Sequence, residues 1–147
     1  MATQENNLSL VGQVELNFDY RDLLTLNFNH FKHNNKYINR KAAICQDRMP
    51  QWLQHTVAGL SPNQVWTWSL KCLYPNTVIK EPAVESQKIF TVIFLDDRTA
   101  GNYFELNGVP MNHWRRGTYV AWQQPMTSHQ VNFGNHNRYY LELTAES

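Results

Sequence analysis

The stretch "VWTWSLKCLY", residues 65–74, places Trp66, Trp68, Leu70 and Cys72 at every second position, with Thr67, Ser69 and Lys71 between them. A period of two suits a strand with one buried face and does not suit a helix, whose apolar stripe repeats every 3.6 residues or so. A half-buried strand is expected here, and the same logic runs through the rest of the chain. "KIFTVIFL", residues 88–95, is a run of β-branched and aromatic residues, as in a strand covered on both faces, and "DDRTAG" closes it as a turn. In "NYFELNGVPMNHW" the pair Asn107-Gly108 separates two short runs, the strongest local signal for a hairpin. "RRG" then turns into "TYVAWQ", "PMTS" leads to "HQVNF", and "GNHN" leads to "RYYLELTA". About seven or eight short strands with close turn signals, filling the C-terminal two thirds, describe a small sandwich, barrel or jelly roll.

The N-terminal third is less regular. Residues 1–8 are polar and expected to fray. "YRDLLTLNF" at 20–28 has room for one or two helical turns, and the polar run "NHFKHNNKYINRK" after it is read as loop. "MPQWLQHTVAGL" is the firm helix: Pro50 suits a first turn, Trp52, Leu53, Val57 and Leu60 fall at helical spacing, and Gly59 lies near the end. The chain of 147 residues is expected to form one domain, with residues 1–65 as helical and loop support and 66–145 as the β core.

Charge names no partner. Lys+Arg 13 against Asp+Glu 12 gives a formal charge of +1, too little to draw the chain onto nucleic acid or an anionic membrane. No window approaches the ~18 apolar residues of a membrane span, and no basic flank precedes an apolar run, so a cytoplasmic protein is expected. Cys45 and Cys72 are far apart without a CxxC spacing, which gives no structural zinc signature.

Chemistry is sought among six histidines, at 30, 33, 55, 113, 129 and 136. His30 and His33 sit in an Asn-rich loop without a third partner, and His55 belongs to the exposed side of the helix. His113 ends a hairpin strand beside Trp114, where a satisfied imidazole is the default. His129 opens a strand and Arg138 opens the next, so a hairpin can set both side chains on one concave face. A guanidinium held inside a sheet needs a carboxylate or phosphate, because burying it alone is expensive. The plainer alternative is that Arg138 pairs with Glu142 or Glu105 and His129 caps a strand. No GxSxG elbow, phosphate-cradling glycine loop, HExxH motif or Ser/His/Asp set competes.

"SLKCLYPNTVI", "FTVIFLDDRTAGNYFELNGVPMNHWRRGTYVAW" and "SHQVNFGNHNRYYLELT", in this order and spacing, resemble the core of the Fe(II)/2-oxoglutarate-dependent oxygenases. The resemblance covers residues 66–145 and is nearest to the small prolyl-hydroxylase-like proteins of marine phages and bacteria. It implies a mainly β fold, a double-stranded β-helix (jelly roll, cupin-like) with one or two N-terminal helices packed on the sheet. By position, His129 resembles the distal iron ligand, Arg138 the arginine that holds the far carboxylate of 2-oxoglutarate, and Tyr140 the hydroxyl residue that assists it. Gly101 and the segment from Trp114 to Trp122 match the scaffold.

The departure is local. Where the family carries HxD, this chain reads "KEPAVES", with Pro82 at the histidine position and Val84 at the aspartate position. A shift of one residue puts Glu81 and Ala83 there, and Thr118 replaces the acid of the family's "GD" turn. The cofactors implied by resemblance are Fe(II) and 2-oxoglutarate, with Glu81, Glu85 and His113 as candidate substitute ligands; the residues alone leave open that no cofactor binds. Three functional readings therefore stand. One is a jelly roll binding a small carboxylate ligand through Arg138, without the family's chemistry. A second is an active hydroxylase with substitute ligands, and the third is a structural protein that self-associates or docks a partner.

Overall fold

A computed structural model describes residues 9–16, 41–44, 51–58, 60, 66–81, 88–111, 113–123 and 125–146. Ten strands and one helix occur among them. In chain order these are β1 (Ser9–Gln13), β2 (Lys41–Ile44), α1 (Gln51–Ala58), β3 (Trp66–Leu73), β4 (Thr77–Glu81), β5 (Lys88–Phe94), β6 (Asn102–Leu106), β7 (Val109–Met111), β8 (Thr118–Trp122), β9 (Ser128–Asn132) and β10 (Arg138–Glu146). They form a six-stranded sheet ordered β1-β8-β5-β10-β3-β2 and a four-stranded sheet ordered β4-β9-β6-β7. From β3 to β10 the chain moves back and forth between the two sheets, and every pairing is antiparallel. That is the winding of a double-stranded β-helix, the expected mainly β jelly roll.

Alternation along β3 and β10 divides the apolar residues between two cores. Trp68, Leu70, Cys72, Leu141 and Leu143 face outward and pack with Leu53 and Val57 of α1. Leu73, Phe94, Phe104, Trp114, Val120 and Tyr140 fill the space between the sheets. The tryptophan and cysteine alternation of "VWTWSLKCLY" thus marks the face beneath the helix, while Lys71 and Leu73 face the sandwich interior. Strand β5 lies in the middle of the large sheet, and residues Thr91 to Leu95 are all buried, as a strand covered on both sides requires.

The turns follow their residues. Asn107 and Gly108 both adopt positive φ, 52° and 84°, the type I′ geometry whose twist matches the strands it joins. Gly117, at φ 92°, lets the chain turn tightly against β1: a Cβ there would lie 2.4 Å from the carbonyl oxygen of Val14.

The N-terminal third, expected as helical and loop support, also contributes strands. Residues 9–13 and 41–44 are strands, β1 and β2, which extend both edges of the large sheet. The support they give is therefore sheet as well as helix. Strand β1 is tied to the start of β8 by Gln13, whose Nε2 donates to the carbonyl of Arg116 at 2.6 Å and whose Oε1 accepts from Thr118 Oγ1 at 2.9 Å. The helical turns expected at 20–28, the loop after them with His30 and His33, and Cys45 lie outside the described residues.

Candidate functional site

Arg138 is the first residue of β10, on the inner face of the large sheet at the end where the β5–β6 and β9–β10 turns cluster. It is 6% exposed. Its Nη2 donates to Gln130 Oε1 from the opposite sheet, and its Nη1 donates to the Tyr103 carbonyl at 3.4 Å. The guanidinium carbon lies 5.5 Å from the Trp114 ring centroid, 5.9 Å from that of Tyr140 and 6.0 Å from that of Phe94. Phe94 and Trp114 are themselves stacked with centroids 4.2 Å apart. The cation therefore rests among three aromatic rings, where the quadrupole of each ring offsets part of its lost hydration. Burial still lowers the guanidinium to about 10, so it remains charged at neutral pH.

No carboxylate pairs with it among the described residues. The two acids expected as partners are engaged elsewhere. Glu142 lies further along the inner face of β10 and accepts from Lys71 Nζ at 2.6 Å, while Glu105 Oε2 accepts from the Tyr103 hydroxyl at 2.5 Å. That bond to an ionised acceptor holds the Tyr103 hydroxyl above the ordinary tyrosine range. Arg138 Nε has no hydrogen-bond partner, and neither has Asn102 Oδ1 nearby; both atoms are buried. Native interiors leave few such atoms unsatisfied, and a half-satisfied buried cation is costly.

Tyr140 lies beside Arg138, fully buried on the same face. His129 does not. Along β9 the buried positions are Gln130 and Asn132, so His129 and Val131 turn to the outer face, where His129 lies level with Lys80 and Glu105. A one-residue change of parity moves a side chain through the sheet, and here it puts Gln130 in the place expected of the imidazole.

The other candidate ligands are dispersed. Glu81 ends β4 level with Ser128, whereas the exposed His113 precedes β8 near the turn end; Glu85 lies outside the described residues. Among the described residues no three His, Cys, Asp or Glu side chains converge on a metal position. The side chains that are described do not fit the Fe(II) centre that the resemblance implies.

Three polar residues were missed in the sequence. Gln130 bonds Arg138 as just described. Asn132 is fully buried, its Nδ2 donating to the carbonyls of Leu73 at 2.8 Å and His136 at 2.9 Å, and its Oδ1 accepting from Gly134 N at 3.0 Å. Asn102 completes the set. Their available signal was that polar residues recur at one parity of a strand, where an amphipathic pattern would put apolar ones.

Among the described residues, concavities lie on either side of the interior. A cavity of about 290 Å³ at the turn end is bordered by Arg138, Asn102, Trp114, Asp96 and Asp97. The other, of about 310 Å³, lies between the β6–β7 hairpin and strands β8 and β1, and its walls include Phe104, Leu106, Val109, Met111 and Val120. The slightly larger one is apolar and offers no ionisable group. The smaller one is bordered by Arg138 and Asn102, each of which keeps a buried polar atom without a partner, and it is the candidate site.

No family model matches the chain, and no curated protein matches it in sequence. Solved structures do resemble it in shape. The cupin domain of an XRE family transcriptional regulator from Enterobacter cloacae superposes with a TM-score of 0.52 at 9% identity, covering 74% of this chain and 98% of that one. A predicted oxalate decarboxylase from Thermotoga maritima gives 0.50 at 10% identity, over 73% and 81% of the two chains. A Photorhabdus luminescens protein gives 0.51 at 8% identity, over 71% and 74%. The fold is a cupin-like jelly roll. Identities this low carry the architecture and nothing about activity. Among the described residues no helix is long and apolar enough to cross a membrane.

Proposed function

We propose that this cupin-like protein binds a small carboxylate through Arg138 and does not perform the iron-dependent hydroxylation of the oxygenases it resembles. The observation that carries this reading is a buried guanidinium with an unpartnered Nε and no acidic side chain paired to it among the described residues. Charge in a protein interior is retained where something answers it, and an anionic ligand is the answer that the chain does not supply itself. Tyr140 packs its ring beside the cation. The loss of hydroxylase chemistry is supported by Pro82 and Val84 at the HxD positions, neither of which can ligate a metal, and by the outward side chain of His129.

Thermal denaturation of the full chain with succinate and with 2-oxoglutarate, each in EDTA and in anaerobic Fe(II), tests the proposal. The expected result is a concentration-dependent rise in Tm that EDTA leaves intact and that Arg138→Met abolishes. Stabilisation that requires Fe(II), or that survives Arg138→Met, refutes it; an Fe(II)-dependent release of succinate from 2-oxoglutarate establishes the hydroxylase reading instead.

A further inference from the structure

The outer face of the four-stranded sheet carries a pattern of its own. Parity along its strands buries Thr77, Gln130 and Phe104 toward the interior. Val78 and Lys80 of β4, His129 and Val131 of β9, and Tyr103 and Glu105 of β6 therefore share the opposite face. The register sets them in two rows: Val78, Val131 and Tyr103 lie level across the three strands, and Lys80, His129 and Glu105 form the next row. Phe133, two positions beyond Val131, extends the apolar part of this face. Val78 is 50% exposed and Phe133 60%, a large apolar area to leave in water on one small sheet.

The charges on this face are placed symmetrically. Lys80 and Glu105 stand one strand to either side of His129, about 10 Å apart at the usual strand spacing. The Tyr103 hydroxyl donates to Glu105 Oε2 at 2.5 Å and so holds the carboxylate on the face. A cation and an anion flanking one strand at equal distances make a surface complementary to itself. Turning a second copy by 180° about an axis along β9, midway between two facing sheets, brings Lys80 of each copy over Glu105 of the other and Val78 over Tyr103. His129, Val131 and Phe133 meet their own counterparts near the axis. Packed sheets lie about 10 Å apart, a gap that a lysine and a glutamate reaching from opposite sides fill together.

We propose that this outer face docks a second copy of the chain, in a two-fold pair with Val78, Val131 and Phe133 at its apolar centre and two Lys80–Glu105 ion pairs running between the copies. The interface is isologous, so every contact occurs twice. It is independent of the carboxylate reading, since Arg138 lies inside the sandwich. Strands of five residues or fewer, four abreast, present roughly 300 Å² per copy, or about 600 Å² in the pair before side-chain relief is counted. That is small for a permanent dimer, so the association is weak and concentration-dependent.

Sedimentation velocity of the full chain from about 5 to 500 µM tests this, a range suited to a weak interface. The expected result is a monomer–dimer equilibrium that added salt weakens. Lys80→Glu and Glu105→Lys each set two like-charge pairs across the axis, and each is expected to raise the dimer dissociation constant about tenfold or more. Mixed in equal amounts, the two variants should associate again, because each then offers the charge that the other lacks. In the unaltered protein the methyl resonances of Val78 should shift as concentration rises, while those of Val109, exposed on the edge hairpin, stay fixed. A chain that remains monomeric throughout the range overturns the proposal. A dimer that both charge reversals leave unchanged, or that moves Val109 and not Val78, overturns the assignment to this face. A mixture of the two folded variants that associates no more than its components overturns the two-fold register.

Discussion

Replacing Arg138 by methionine should cost the free protein little, and replacing Arg138 and Gln130 together should stabilise it. The lowering of the guanidinium to about 10 by burial corresponds to a penalty of roughly 3 kcal/mol against an exposed arginine. Methionine keeps apolar contact with Trp114, Phe94 and Tyr140 and removes that penalty. It also loses the bonds to Gln130 and the Tyr103 carbonyl, and it orphans the Gln130 amide, which together cost about 2–4 kcal/mol. The single variant therefore comes out near neutral. In Arg138→Met/Gln130→Leu the orphaned amide is gone, and about 1–2 kcal/mol of net stabilisation remains, or roughly 2–8 °C in Tm for a domain of this size. The sign of the pH dependence follows from a lowered cationic group. The penalty is present in full at every pH below about 10, and it is relieved as pH rises through that value, where the folded chain loses a proton that the unfolded chain still holds. Differential scanning calorimetry across pH ~5–9 should accordingly give the same stabilisation throughout. A double variant destabilised by more than about 2 kcal/mol would refute the reasoning, since Arg138 would then be a structural group already satisfied by its neighbours.

Three further outcomes follow from particular contacts. Gly12→Ala should cost about 1–3 kcal/mol in urea denaturation, because its Cβ would lie 2.5 Å from the Tyr119 ring, unless that side chain swings away. Asn132→Leu should cost about 3 kcal/mol or more, because it leaves the buried Leu73 carbonyl and the His136 carbonyl without the amide that bridges them; a loss below 1 kcal/mol in chemical denaturation contradicts that role. Burial pushes the Cys72 thiol up to about 12, so at pH ~8 it should react with a thiol reagent only through unfolding, and a rate in native buffer equal to that in denaturant would count against it.

Much of the fold could be read locally. The alternation in "VWTWSLKCLY", the doubly apolar "KIFTVIFL" and the Asn107-Gly108 turn are each signals complete within a few residues, and each became the element it implied. Strands β1 and β2 were not legible, because short edge strands draw their stability from the strand they join, and nothing in "SLVGQ" or "KAAI" announces that partner. The site was half legible for a related reason. In "SHQVNF" the parity containing Val131 and Phe133 is the more apolar, so local pattern favours burying it together with His129. The fold buries Gln130 and Asn132 instead and leaves Phe133 60% exposed. What decides between the faces is long-range: Gln130 answers Arg138 across the interior, and Asn132 ties the β9–β10 turn to Leu73. The acids expected to pair with Arg138 were likewise claimed by Lys71 and Tyr103, residues distant in sequence or on another face.

If the Arg138 side chain clamps an anion as proposed, its Nε–H is the group that reports it. A ¹H–¹⁵N spectrum of arginine Nε–H groups, with the Arg138 signal assigned by its loss in Arg138→Lys, can be followed during titration with succinate at constant ionic strength. A saturable shift of this one resonance is expected, as the unpartnered Nε–H gains a carboxylate acceptor. A resonance that stays fixed while succinate stabilises the fold, or one that moves equally with chloride, would contradict it.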